Sequence, residues 1–176
     1  MMLIELFFKD KKDVTITVLD LGEVSAQYDN AKITKMMLLG WFEELGFGII
    51  NDPDVEIAEK TKVAAIELIY DSLNSNSLVR NSDYIGERLQ LPYDKISRIF
   101  SQVTGTTLAK YIILLKMEKA KDLLLGSDYS VSEISYMMEY SSVQYFSNQF
   151  KSYVGVTISK FKENPQMYRK PLESIL

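Results

Sequence analysis

SVSEISYMMEYSSVQYFSNQFKSYVGVT, residues 130–157, places apolar side chains at helical spacing, while its outward positions carry Gln, Asn and Ser rather than charge. Ser130, with Glu133 three residues later, has the form of a capping box, in which side-chain and backbone groups satisfy each other at a helix start. A short helix holding Ile134 beside the small Ser135 follows. After the tight turn MEYSS, a second helix is expected to bury Phe146, Phe150, Tyr153 and Val154. Two short helices crossed over a tight turn form a helix-turn-helix, whose second helix fits a DNA major groove.

The same plan occurs once upstream. ISRIFSQVTGTTL, residues 96–108, aligns without gaps on FSNQFKSYVGVTI, residues 146–158, fifty positions further on. Ser97/Ser147, Phe100/Phe150, Gly105/Gly155 and Thr107/Thr157 are identical pairs. NSDYIGERL, 81–89, matches SVSEISYMM, 130–138, at an offset of 49, so the second copy has one extra residue in its turn. The first copy is expected to open on Asn81 as a cap and to set the small Gly86 beside Ile85 where the helices cross. Pro92 then opens the next helix, which buries Ile96, Ile99, Phe100 and Val103. The intervening TTLAKYIILLKMEKAKDLLLG reads as a helix of about 19 residues, spanning roughly 28 Å at ~1.5 Å per residue. Successive major grooves on one face of DNA recur every ~34 Å. The units are therefore 81–104 and 130–154, joined by a linker helix over 107–125.

Working outward, helices are expected near 82–90, 93–103, 107–125, 131–138, 142–153 and 158–163. They follow a long amphipathic helix over 55–75 with Val63, Ile66, Ile69 and Tyr70 inward, and a polar loop at 72–77. Residues 1–53 differ. LIELFF and VTITVLDLGEVSAQY are β-rich, and Gly22 suits the turn of a hairpin over 14–28. KITKMMLLGWFEELGF, 32–47, reads as a helix burying Ile33, Met36, Met37, Trp41, Leu45 and Phe47, with Gly46 at its C-terminal cap. FGII reads as a short returning strand. The fold class is mainly α: a seven-helix double helix-turn-helix domain at 54–176, preceded by a small α+β domain, a sheet plus one helix, at 1–53.

Composition limits the chemistry. The chain has 176 residues, 47% hydrophobic and 25% charged, with no cysteine and no histidine. Disulfides, thiolate nucleophiles, imidazole bases and the usual zinc sites are excluded together. No GxSxG, Ser-x-x-Lys or phosphate-loop string is expected to carry catalysis, so neither an enzyme nor a cofactor or metal is expected. MMLIELFF lacks a basic leader and a cleavage site and reads as a first strand, so a cytoplasmic protein without a membrane span is expected. Net charge is −4 but uneven. Lys+Arg against Asp+Glu run 5 to 9 over residues 1–53, 2 to 5 over 54–76, and 13 to 10 over 77–176, or −4, −3 and +3.

Residues 54–164 resemble the DNA-binding domain of AraC/XylS-type bacterial transcription regulators, through ISRIFSQVTGTTLAKYIILLKMEKAKDLLL and VSEISYMMEYSSVQYFSNQFKSYVGVTISKFK. The resemblance implies seven helices carrying two helix-turn-helix units, and promoter binding as a regulator of transcription. It also implies base contacts at Asp94, Ser97 and Arg98. Residues 1–53 look like a truncated ferredoxin-like, heavy-metal-associated domain. They lack its CxxC site, which excludes thiolate metal sensing and leaves dimerisation, or docking on the DNA-binding half, as the expected role. RNA polymerase is a further candidate partner, and the acidity of this segment would weaken DNA affinity by repulsion.

The helical wheel turns Asp94, Lys95, Ser97, Arg98 and Gln102 outward in copy one, and Val143, Gln144, Ser147 and Asn148 in copy two. Arg98 can donate bidentately to guanine, Asp94 can accept from cytosine, Gln144 and Asn148 can each pair with adenine, and Val143 can touch a thymine methyl. Tyr145 meets a phosphate or covers the core edge. Lys95, Lys116, Lys151 and Lys160 are candidate phosphate contacts. Relatives place Gly in each turn, where this chain has Gln90 and Glu139, and many carry Arg where Leu114 stands. These departures, with Asp94, keep open a second function: a protein-interaction module that has lost useful DNA affinity.

Overall fold

The computed structural model describes residues 2–20, 23–48, 50–71 and 81–168. The expected turn at Gly22, residue 49 of the FGII strand and the loop at 72–77 lie outside the described residues. No helix among them is long and apolar enough to cross a membrane.

The chain opens with a helix, α1 (Met2–Phe8), where LIELFF had been expected to form a strand. Ile4 and Phe8, one turn apart, are both buried, and Leu3 and Leu6 face outward, a helical rather than an alternating division. Phe8 packs its ring on Trp41 and Phe42 at 6.1 and 5.1 Å. The hairpin follows as expected: β1 (Val14–Asp20) pairs antiparallel with β2 (Glu23–Tyr28), from Val14 opposite Tyr28 to Asp20 opposite Glu23, with an irregularity between Ile16 and Val18.

Thr34 caps α2 (Lys35–Glu44), its hydroxyl accepting from the Met37 N–H. The helix ends in a Schellman motif: Gly46 N–H donates to the Glu43 carbonyl, Phe47 N–H donates to the Phe42 carbonyl, and Gly46 has φ +84. Two expectations fail here. Met36 is 84% exposed, and Met37 and Phe47 also face water, because the inward arc runs through Leu38, Trp41, Phe42 and Leu45. Among the described residues of FGII none is in a strand, so the N-terminal part is helix, hairpin, helix rather than a ferredoxin-like sheet.

Seven helices then follow among the described residues: α3 (Pro53–Asp71), α4 (Asn81–Leu89), α5 (Tyr93–Thr104), α6 (Leu108–Gly126), α7 (Val131–Met137), α8 (Val143–Val154) and α9 (Ile158–Glu163). Asp52 supports the start of α3 by accepting from the Asp54 N–H at 2.8 Å, with Pro53 where no N–H is needed. The face of α3 turned inward is built mainly of small residues, Ala58, Thr61, Ala64 and Ala65, plus Leu68 and Ile69. Val63, Ile66 and Tyr70, expected inside, lie at its margins. Small side chains let α4, α5 and α6 pack closely on α3.

Each half of α6 serves a different core. Leu108, Tyr111, Ile112 and Leu115 join Ile85, Ile96 and Phe100 in one. Met117, Ala120 and Leu124 join Ile134, Phe146, Phe150 and Phe161 in the other.

Candidate nucleic-acid interface

The internal repeat is a repeat in space as well. α5 and α8 each have twelve residues. Each ends on a left-handed glycine, Gly105 at φ 71 and Gly155 at φ 88. Thr107 and Thr157 then cap the next helices by accepting from the Lys110 and Lys160 N–H groups. The turns before α5 and α8 also match. Gln90 N–H donates to the Glu87 carbonyl and Leu91 N–H to Gly86, while Glu139 N–H donates to Tyr136 and Tyr140 N–H to Ser135. Both turns keep the left-handed conformation that glycine would favour, with Gln90 at φ 53 and Glu139 at φ 61.

The small residues at the crossings behave as expected. Ser135 is buried, and a side-chain carbon placed on Gly86 would stand 3.4 Å from the Leu91 carbonyl. The capping box forms in full, Ser130 accepting from the Glu133 N–H while the Glu133 carboxylate takes the Ser130 N–H. The Ser130 amide and hydroxyl hold that carboxyl below its ordinary value of 4.5. Asn81, expected as a cap, is itself helical, and the described residues of α4 begin there. Pro92, at φ −58, stands at the cap position of α5 without a side-chain bond, and Ser142 caps α8 by accepting from the Tyr145 N–H at 3.1 Å.

On α5, Asp94, Lys95, Arg98 and Gln102 are exposed, while Ser97 is half-buried and its carbonyl accepts the Ser101 hydroxyl. Val103, expected in the core, is 38% exposed. On α8, Val143, Gln144, Tyr145, Asn148 and Lys151 are exposed and Ser147 is half-buried. Gln144 donates its amide to Asn148 at 3.2 Å. That bond orders two neighbouring amides, leaving the Gln144 oxygen as an acceptor and the Asn148 NH2 as a donor. Tyr145 does not stand clear: its ring lies 5.6 Å from Tyr140, and its hydroxyl accepts from Gln149 at 3.4 Å. Burial pushes the Tyr140 hydroxyl up to about 12, so it stays neutral across the physiological range.

Lys116 is not available as a phosphate contact. Its ammonium donates to the Met138 carbonyl at 3.1 Å and to the Glu139 carboxylate at 2.5 Å. No local pattern announces this tie, because the two partners lie 22 and 23 residues beyond Lys116, outside its own helix. A Ser-x-x-Lys spacing does occur on α9, Ser159 to Lys162, but both side chains are exposed at the surface. Among the described residues no group of acidic side chains is arranged to hold a metal ion.

Comparison with known proteins agrees with this architecture. Residues 85–164 match the family described as a helix-turn-helix domain. The Msm operon regulatory protein of Streptococcus mutans is 31% identical over 149 residues, which is 80% of this chain and 53% of that protein. The xylose operon regulatory protein of Escherichia coli K12 is 26% identical over 129 residues, 69% of this chain and 33% of that protein. The chain thus spans about half the length of the first relative and a third of the second. The crystal structure of a DNA-binding transcriptional dual regulator from Escherichia coli K-12 shares the fold with a TM-score of 0.50 at 16% identity, covering 68% of this chain and 99% of that one.

Proposed function

We propose that this chain, whose residues 85–164 match a helix-turn-helix domain, is an AraC-type regulator that binds double-stranded DNA sequence-specifically and regulates transcription from a promoter. The observation that carries this reading is the pair of matching units at the two ends of α6. Its 19 residues span roughly 28 Å at ~1.5 Å per residue. That is close to the ~34 Å between successive major grooves, so α5 and α8 can enter neighbouring grooves on one face of the duplex.

Each exposed side chain then has a role fitted to its chemistry. Arg98 reads guanine with its fork, Asp94 accepts from cytosine, the Gln144–Asn148 pair reads adenine, and Val143 meets a thymine methyl. Lys95 and Lys151 hold phosphates, with Lys160 on α9 as a third. Gln102, Ser97 and Ser147 line the same faces, and Tyr145 supports the edge of α8 against Tyr140. No enzymatic role is assigned, and the site of action is the cytoplasm, where promoter DNA is reached. RNA polymerase is the proposed protein partner. Residues 1–53 are the proposed self-association surface, supported by the exposed Leu3, Leu6 and Met36.

Selection of bound sequences from a random duplex library tests the reading. The expected result is two short elements about one helical turn apart. Arg98→Ala should relax choice at one base pair in the first element, at about 1–3 kcal/mol, and Asn148→Ala should do so in the second. No enrichment by the folded intact chain overturns the reading. It would favour a protein-interaction module instead, to which Asp94 and the charge of −4 over residues 1–53 already lend weight.

A further inference from the structure

Both helix-turn-helix units pack on α6. Among the described residues the helices of one unit do not pack extensively on those of the other. An open cleft of about 420 Å³ lies between them, with Tyr93 on one wall, Tyr145 and Gln149 on the other, and Lys116 among its lining residues. Lys116 sits at the junction of the two cores, between Leu115 of the first and Met117 of the second.

Its side chain is only 13% exposed, and both of its bonds go to the turn between α7 and α8. The turn residue that accepts the charge, Glu139, stands in a left-handed conformation that strains any residue with a Cβ. Glycine would remove the strain but has no carboxylate. The equivalent residue in the first unit, Gln90, carries no charge and can form no such ion pair. Apolar packing on a single helix is non-directional. A charge-assisted bond at the cleft supplies the missing direction.

We propose that Lys116 and Glu139 are positioning residues that fix the angle of the second unit on α6, and thereby set the single spacing of DNA elements the protein accepts. The inference rests on the DNA reading above. Neighbouring base pairs are about 3.4 Å apart along the duplex, so accepting a site one pair longer or shorter requires the two units to move relative to each other by about that distance.

Titration of the intact chain against duplexes at the selected spacing, and at one base pair more or less, tests it. Glu139→Gln and Lys116→Met should each reduce spacing selectivity about fivefold, the lower end of coupling between distinct sites. The double variant should fall no further than either single one. A second readout needs no DNA. The chain has no cysteine, so Glu87→Cys on α4 and Ser152→Cys on α8, both exposed, can carry a pair of spin labels, one on each unit. Their distance distribution should be narrow in the parent and broader with Glu139→Gln. Unchanged selectivity in the single variants overturns the proposal, as does an unchanged distance distribution or a double variant that adds the two losses. A parent that selects no duplex overturns the DNA reading instead, and the label distances then decide whether the tie holds the units.

Discussion

Gln90 and Glu139 hold φ 53 and 61 at the two points where the chain turns from one helix to the next. A side chain in that region meets its own backbone, and glycine relieves the contact. Gln90→Gly should therefore stabilise the protein by about 1 kcal/mol, raising Tm by about 2–4 °C for a chain of this size. Glu139→Gly gains the same relief but loses the bond to Lys116, so its shift should be smaller than that of Gln90→Gly. Thermal unfolding of the two variants side by side decides the point, and equal shifts would mean that the tie adds nothing to stability. The two positions were legible in the sequence, since the offset of 49 residues sets them opposite each other and both depart from glycine. The reach of Glu139 to Lys116 was not legible, because it depends on how far α7 is turned on α6, and only packing sets that.

Helix boundaries were legible wherever a local chemical signal marks them. Thr107, Thr157 and Ser142 cap, Gly105 and Gly155 terminate, and Ser130 with Glu133 closes a box, all through bonds within a few residues. The misreadings fell on short apolar runs. MLIELFF satisfies a strand and a helix equally over seven residues, and what decides is the ring of Phe8 against Trp41 and Phe42, far along the chain. Met36 and Met37 look as apolar as Leu38, and only the phase of α2 on the hairpin selects Leu38. The capping box of α7 makes its own prediction. The Glu133 carboxyl is held below its ordinary value of 4.5, first by the Ser130 amide and then by the Ser130 hydroxyl. Its stabilising contribution is thus complete above that ordinary value and disappears as pH falls through the lower folded-state value. Urea unfolding from neutral pH into the acid range should show the parent losing stability more steeply below pH 4.5 than Glu133→Gln. Parallel curves for the two would show that the box is not formed in solution.

At the scale of the whole molecule, the double helix-turn-helix plan was readable because a repeat multiplies weak signals, while the N-terminal part offered one copy of each. What holds the far end of the molecule was hidden for a different reason. Lys121 is 3% exposed, on a helix whose neighbouring sequence suggests an ordinary solvated lysine. Its ammonium donates to Glu118 at 2.6 Å and to the Tyr168 carbonyl at 2.9 Å, fastening the residues after α9 to the core around Phe150 and Phe161. A buried charge is tolerated only while paired, and removing one partner strands the other. Lys121→Met leaves the Glu118 carboxylate and the Tyr168 carbonyl without that donor, and should lower stability by about 3 kcal/mol. Lys121→Met combined with Glu118→Leu removes both charges and should recover most of the loss, since an apolar replacement of similar volume is often neutral. If the double variant is as unstable as Lys121→Met, the damage comes from the freed Tyr168 carbonyl and the segment it anchors, not from the unpaired carboxylate. Hydrogen exchange at the Met167 and Tyr168 amides, which bond back to Asn164 and Pro165, separates the two cases. Exchange there should quicken in both variants, whereas exchange in α8 should quicken only where the carboxylate is left alone.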